Sequence, residues 1–344
     1  MSLLQLSLAS FRNLKDATLD FGPGVNLIHG SNAAGKTALL ESISIITQGK
    51  SFRTRHLSQC VRHGEDSFLL FARHDRYRSG FRYSPRKNEI RIDGEPARRI
   101  RELAHRSALL VIDEHSIDLV SGKPQHRRQF IDWLLFHVEP SYADLWAKTR
   151  YLLKQRNALL KQRKDLHLLD YWEPQLVDHT LKLHELRQSV LPALNETIGD
   201  YQVHYEKGFD TDYGDQLKSD RSMDTRMGYT RHHYNRADLL IRTLDQQPVN
   251  EVASRGQKKT LAVSLQTRAI ELVKQSSDKP IIVLIDDLAA ELDQDNLSKL
   301  YKTLMSLDCQ LFVTGLVPDV FPDFLADRAR MFHVEHGMIG ATTA

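Results

Sequence analysis

The chain opens on alternation. Leu4, Leu6 and Leu8, then Ala17, Leu19 and Phe21, fall at every second position between polar residues, the period of half-buried strands. Val25-Asn26-Leu27-Ile28-His29 is a short apolar run that reads as a buried strand, and beyond it Leu39, Leu40, Ile43 and Ile46 recur at helical spacing. Strand alternation returns over residues 68–93 and ends at the turn signal Asp93-Gly94. Near residue 98 the period becomes helical, with long helices expected over 127–137, 142–164 and 171–205. Pro140 separates the first two, residues 166–170 connect the next pair, and Pro192 is expected to kink or split the last. Residues 209–227 are polar and rich in Asp, Gly and Ser, and read as a loop. Strand signals resume at residues 238–242. An amphipathic helix follows, with Leu261, Leu265, Ala269 and Leu272 on one face, then strands at 281–285, 310–314 and 331–335.

Strands and helices at both ends, separated by long helices with short connections, predict an α/β head split by a mainly helical second lobe. The expected boundaries are 1–97 for the N-terminal half of the head, 98–228 for the helical arm and 229–344 for the C-terminal half. The 344 residues suffice for two domains or one domain with a large insertion. Cys60 and Cys309 are too far apart in sequence for a disulfide framework or zinc spacing, which fits a reducing compartment. No apolar stretch approaches the roughly 20 residues of a membrane span, and the start lacks the basic region of a signal peptide. A cytoplasmic protein without membrane contact is expected. Net charge is only +3, yet residues 50–101 hold 14 Lys and Arg against 6 Asp and Glu. That excess reads either as a solvated sheet face or as a polyanion-binding surface.

The candidate chemistry begins at Gly30-Ser31-Asn32-Ala33-Ala34-Gly35-Lys36-Thr37, set between a strand and a helix. Glycines at 30 and 35 let backbone N–H groups turn inward on phosphate oxygens, and the helix start adds unpaired donors and a positive dipole end. Lys36 is placed to reach the terminal phosphates and Thr37 to bind Mg²⁺. The alternative is a strand-to-helix turn with a chance Gly-Lys-Thr. The strand Ile281–Ile285 ends in Asp286-Asp287, at the edge where α/β sheets bind ligands. Asp286 is the expected Mg²⁺ partner of Thr37, and Asp287 is placed to orient or deprotonate the attacking water. The same pair suits a turn or a helix cap. Lys36, Asp286 and Asp287 are thus the catalytic candidates. Ser254-Arg255-Gly256-Gln257 precedes the helix carrying Leu261, where Ser254 is also a good cap residue.

Ser-x-Gly-Gln ahead of a helix, some 25 residues before the acidic strand end, resembles the signature of ABC-type ATPases, and Ala290-Glu291-Leu292-Asp293 resembles their D-loop. The long helical separation between phosphate loop and signature is similar to the SMC/Rad50 branch. Phe11-Arg12-Asn13, Gly49-Lys50-Ser51-Phe52-Arg53, the run from Val120-Ser121-Gly122-Lys123-Pro124 through Arg127-Arg128 to Asp132, Leu153-Lys154-Gln155-Arg156-Asn157 and Met331-Phe332-His333-Val334-Glu335 all resemble the RecF recombination-mediator family. The resemblance runs nearly end to end. It implies a P-loop ABC-type ATPase head with a helical second lobe, binding ATP and Mg²⁺. Residues 30–37 of one subunit and Ser254, Gly256 and Gln257 of another would sandwich each nucleotide in an ATP-dependent homodimer. It also implies slow hydrolysis, binding to single-stranded, gapped and duplex DNA, and work with RecO and RecR in loading RecA for gap repair and SOS induction. An ABC-transporter nucleotide-binding subunit is the alternative, and a small-molecule kinase a more distant one. The chain departs from the family at Ala33, usually glycine, and at His233-Tyr234-Asn235, usually Gly-Pro-His. Thr314 stands where transporter ATPases carry a switch histidine, and Asp287 is one methylene shorter than the glutamate common in the superfamily.

Overall fold

The computed structural model describes residues 2–97, 99–196, 198–210, 212–288 and 294–342. The chain divides into one unit of Met1–Ser116 with Val273–Ala344, and a second of Ile117–Leu272. The first unit begins with β1 (Leu3–Ala9), β2 (Ala17–Asp20), β3 (Val25–His29) and helix α1 (Lys36–Gln48). It continues with β4 (Phe68–His74), β5 (Arg78–Tyr83), β6 (Glu89–Ile92), β7 (Glu95–Pro96) and β8 (Ala108–Ile112). The second unit holds helices α2 (Pro124–Val138), α3 (Tyr142–Gln162) and α4 (Leu169–Ser189), strand β9 (Tyr201–Glu206), helix α5 (Tyr213–Met227), strand β10 (Asp238–Thr243), and most of helix α6 (Arg255–Ser276). The chain closes with β11 (Ile281–Ile285), helix α7 (Gln294–Ser306), β12 (Gln310–Gly315), β13 (Ala329–Glu335) and β14 (Met338–Thr342).

Two six-stranded sheets build the first unit. One is antiparallel, in the order β2-β1-β4-β5-β6-β7; the other runs β14-β13-β3-β12-β11-β8, parallel except for β14. Helix α1 touches β4 and β5 of the first sheet and β8 and β12 of the second. Leu39, Leu40, Ile43, Ile45 and Ile46 are therefore fully buried on more than one face of that helix, each worth roughly 1.5–3 kcal/mol. Phe21 joins the strands of the parallel sheet edge-on, 4.9 Å from Phe312 and 5.3 Å from Phe332. All five residues of β11 are buried, as a central parallel strand covered on both faces requires.

The structure revises several expectations. The boundary expected at residue 98 does not coincide with the first unit's, which extends to Ser116, because Ala108–Ile112 pairs with Ile281–Ile285 as an edge strand of the parallel sheet. A five-residue apolar run has no period of its own to set it apart from the helical stretch around it. The second unit ends near residue 272 rather than 228. Residues 201–206 are not the end of a helix but β9, antiparallel to β10. The helix ends because Pro192 starts a separate short helical segment, Leu191–Asn195. Residues 213–227 are the helix α5, not a loop. Asp212 caps it by accepting the Asp215 N–H at 2.9 Å, while a buried side made only of Tyr213, Leu217 and Asp224 hides its period. Residues 290–293, expected as a D-loop, lie outside the described residues. No helix among the described residues is long and apolar enough to cross a membrane.

Candidate nucleotide-binding site

The loop between β3 and α1 is held in shape by its carbonyls. Lys36 Nζ donates to Gly30 O at 2.9 Å and to Ser31 O at 3.2 Å. Asn13 Nδ2 donates to Ala33 O at 3.0 Å, and Gly337 N to Ala34 O at 3.0 Å. These bonds fix the turn, and within it Ala34 N donates to Ser31 O at 3.2 Å, a compact loop whose remaining amides could serve a phosphate cradle. Gly30 is dictated by space and Gly35 by its backbone conformation. A Cβ on Gly30 would meet Val334 O at 2.2 Å, and one on Gly35, at φ 123°, would meet Leu14 Cδ2 at 2.5 Å. Ala33 has φ 62°, the left-handed region that a glycine would occupy without strain.

Topology supplies the second half of the site. Strand β12 lies between β3 and β11, so its end separates the phosphate loop from Asp286-Asp287. Thr314 fills that gap. Its hydroxyl donates to Asp286 Oδ1 at 2.8 Å and accepts the Asp287 N–H at 2.8 Å. Thr37 Oγ1 donates to the same Asp286 oxygen at 3.1 Å. Thus Lys36, Thr37, Asp286 and the backbone of Asp287 converge at the C-terminal edge of the parallel strands. Asp287 itself adopts φ 46°, a conformation held by the bond to Thr314. Burial pushes the Asp286 carboxyl above its ordinary range; the two threonine bonds and Arg53 oppose that, and Asp287 adds to it. Among the described residues no cluster of three or more His, Cys, Asp or Glu forms a metal cage. A hydroxyl beside one carboxylate instead suits Mg²⁺, which takes its other ligands from phosphates and water.

The residue pattern gave no warning of what braces the helix behind the loop. Arg12 Nε and Nη2 each donate to the buried Glu41 carboxylate of α1 at 2.8 Å, and Ser51 Oγ donates to it at 2.5 Å. Burial alone would raise the Glu41 carboxyl, but the Arg12 and Ser51 bonds outweigh it and hold it below its usual value. Cys60 Sγ lies 3.4 Å from the same carboxylate, and burial plus that charge push its thiol up to about 12. Arg12 and Ser51 stand out in the sequence only as parts of short motifs, and no spacing ties either to Glu41.

The model of the RecF/RecN/SMC N terminal domain matches residues 2–340. The chain is 37% identical to the DNA replication and repair protein RecF of Shewanella halifaxensis, over 98% of each chain. It is 36% identical to that of Shewanella oneidensis, over 98% of this chain and 99% of the other. The chain belongs to the RecF family of DNA replication and repair proteins. Its fold is that of the RecF and Smc ATPase heads. A structure of the recombination mediator protein RecF with ATP in the RecFOR pathway superposes with a TM-score of 0.87 at 23% identity, covering 99% of this chain and 98% of that one. An Smc head bound to the C-winged helix domain of ScpA gives 0.60 at 14% identity, covering 100% and 98%.

The RecF-like motifs of the second unit prove to be anchored by arginines, Arg156 fully buried and Arg127 and Arg128 partly so. Arg156, fully buried, donates to Glu173 at 3.0 Å, Asp224 at 2.8 Å and Thr230 at 2.7 Å, while Asn157 accepts from Thr230. Arg127 forks onto Asp238 with two bonds of 2.8 Å, and Arg128 donates to Ala237 O at 2.8 Å. Arg187 binds Asp132 and Tyr234 O. The segment at His233-Tyr234-Asn235, where this chain departs from the RecF pattern, therefore still presents the carbonyl that Arg187 needs. Ser254, Gly256 and Gln257 belong to this unit and are exposed. Ser254 N donates to Gln257 Oε1 at 2.8 Å and Gln257 N to Ser254 Oγ at 3.3 Å, a reciprocal cap at the start of α6. No Cβ added to Gly256 would meet a neighbour, so its backbone is open to a ligand.

Proposed function

We propose that this protein is an ATP-gated DNA-binding switch of recombinational gap repair, acting in the cytoplasm as a homodimer that sandwiches two nucleotides. The observation that carries the reading is the convergence of Thr37 and Asp286 on one side of the loop closed by Lys36, with Thr314 bridging both acids. The loop amides and Lys36 would bind the β- and γ-phosphates, Lys36 exchanging the Gly30 and Ser31 carbonyls for phosphate oxygens. Thr37 and Asp286 would hold Mg²⁺, which neutralises charge at the transferred phosphoryl group. Asp287 would orient the attacking water, and Thr314 keeps its backbone in place. The single short acid at 287 suits slow turnover, in which nucleotide acts as a switch. Ser254, Gly256 and Gln257 would cap the γ-phosphate held by the partner subunit. Leu316, Val317 and Val320, all at least about a third exposed beyond the end of β12, supply apolar surface that a nucleotide-dependent partner would cover. Gapped and single-stranded DNA are the proposed ligands, with RecO and RecR as partners in loading RecA, as the RecFOR setting of the RecF–ATP structure suggests.

Light scattering with and without MgATP tests the sandwich. Wild type will double its mass with ATP. Lys36→Ala will lose ATP binding and dimerisation together, whereas Ser254→Ala will bind ATP and remain monomeric. A Ser254→Ala variant that dimerises normally would remove the signature from the interface.

A further inference from the structure

The antiparallel sheet turns one face to the core and the other outward. Along β4, Phe68, Leu70 and Ala72 are buried while Leu69, Phe71 and Arg73 are exposed. Leu69 and Phe71 are 49% and 41% exposed, an apolar pair on the outer face of a strand whose inner face already supplies the core. Register shows what surrounds them. Leu69 is opposite Arg82, Phe71 opposite Gly80, and Arg73 opposite Arg78, with Arg91 on the far side of Gly80. All four arginines are exposed.

Three features of this face are poor choices for a merely solvated surface. Arg73 and Arg78 form a like-charged pair directly across the ladder, which costs stability. Asp20 only partly offsets it, 4.0 Å from Arg73, and Glu89 is opposite Arg82. Gly80 leaves the Phe71 ring without a cross-strand side chain on that side, in a position where β-branched or aromatic residues are the usual choice. The exposed apolar residues are flanked by positive charge along the β5 and β6 side, with Ser7 and Ala9 on the β1 side, the pairing of a stacking platform with phosphate contacts that single-stranded nucleic acid requires. Alternate residues along a strand are roughly 6.6–6.8 Å apart, about two steps of a stacked strand at 3.4 Å each.

We propose that the outer face of the antiparallel sheet binds unpaired DNA, a base stacking on Phe71 while Arg73, Arg78, Arg82 and Arg91 take the flanking phosphates. The surface rests on the DNA-binding reading above and gives it an address on the head, separate from the nucleotide site.

The test is fluorescence anisotropy of the full chain with labelled oligo-dT and with a blunt duplex, over a salt series. Phe71→Ala weakens oligo-dT binding roughly 5- to 140-fold, leaves duplex binding and ATP-induced dimerisation unchanged, and Phe71→Trp restores it. The Arg73→Ala, Arg82→Ala double variant lowers the salt slope on oligo-dT by about 0.7 for each contact removed. Wild-type oligo-dT affinity in both variants, from a protein that does bind DNA, would overturn this surface while sparing the wider function. Displacement of oligo-dT by polyglutamate at equal charge would overturn it in favour of an acidic polypeptide partner. Absence of DNA binding by the wild type would overturn both readings.

Discussion

At the scale of single residues, the site is built from small polar groups whose roles depend on position more than on type. Thr314 shows this: as a letter it marks only the absence of a switch histidine, but at the end of β12 its one hydroxyl holds two acids. Nothing in the spacing of the chain could reveal that, because β12 comes between β3 and β11 in space although it follows both in sequence. Ala33 is the opposite case. Its departure from glycine was visible in the sequence, and the structure supplies the reason it matters, a φ of 62°. Left-handed backbone costs a residue with a Cβ roughly 1–2 kcal/mol, while glycine adds about 0.5–1 kcal/mol of entropy to the unfolded chain. Ala33→Gly is therefore expected to stabilise the protein by about 0.5–1 kcal/mol, a rise in Tm of roughly 1–3 °C. A lower Tm in calorimetry would mean that the loop carries no strain at this position.

At the scale of elements, periodicity served for the half-buried strands and for α1, and short apolar runs marked the buried strands β3, β11 and β12, while β8 and α5 escaped both signals. The strands around residues 4–8, 68–93 and 331–335, and helix α1, were legible because apolar residues recur at the right spacing. Strand β8 is apolar throughout and α5 almost wholly polar, so neither carries a period. Charge-driven structure was equally hidden. The link of Arg12 to α1 through Glu41 spans 29 positions, and the sequence holds no clue to the pairing. Glu41→Gln leaves Arg12 without its carboxylate in a largely buried site. The expected cost is about 3 kcal/mol, the low end for a buried pair, since the Arg12 side chain remains 23% exposed. The sign with pH follows from the lowered Glu41 pKa. The native pair contributes fully above the unfolded carboxyl value of about 4.3 and loses that contribution as pH falls through the lower folded value. The Tm gap between wild type and Glu41→Gln should thus be constant from pH 8 to 6 and shrink only in acid below the ordinary glutamate range. A gap that closes near neutrality would contradict the ion pair.

At the scale of the whole molecule, the candidate residues are distributed over two units. The first carries Lys36, Thr37, Asp286 and Asp287, and the second presents Ser254, Gly256 and Gln257. The α/β head split by a helical lobe was legible from the order of patterns. The unit boundaries were not, because β8 joins the parallel sheet by tertiary pairing and the other boundary falls inside the continuous helix α6. Buried arginine hubs such as Arg156, fixed by several partners at once, favour one arrangement of the second unit's helices over alternatives. A well-defined second unit is what a signature acting on another subunit's nucleotide would need. The proposed function turns on nucleotide control of DNA engagement. The most direct measurement is the anisotropy of a gapped duplex titrated with the protein, with and without MgATP, alongside Lys36→Ala. Tighter binding with MgATP is expected for wild type, by tenfold or more, with no response to nucleotide in Lys36→Ala. Equal affinity with and without MgATP in the wild type would contradict it.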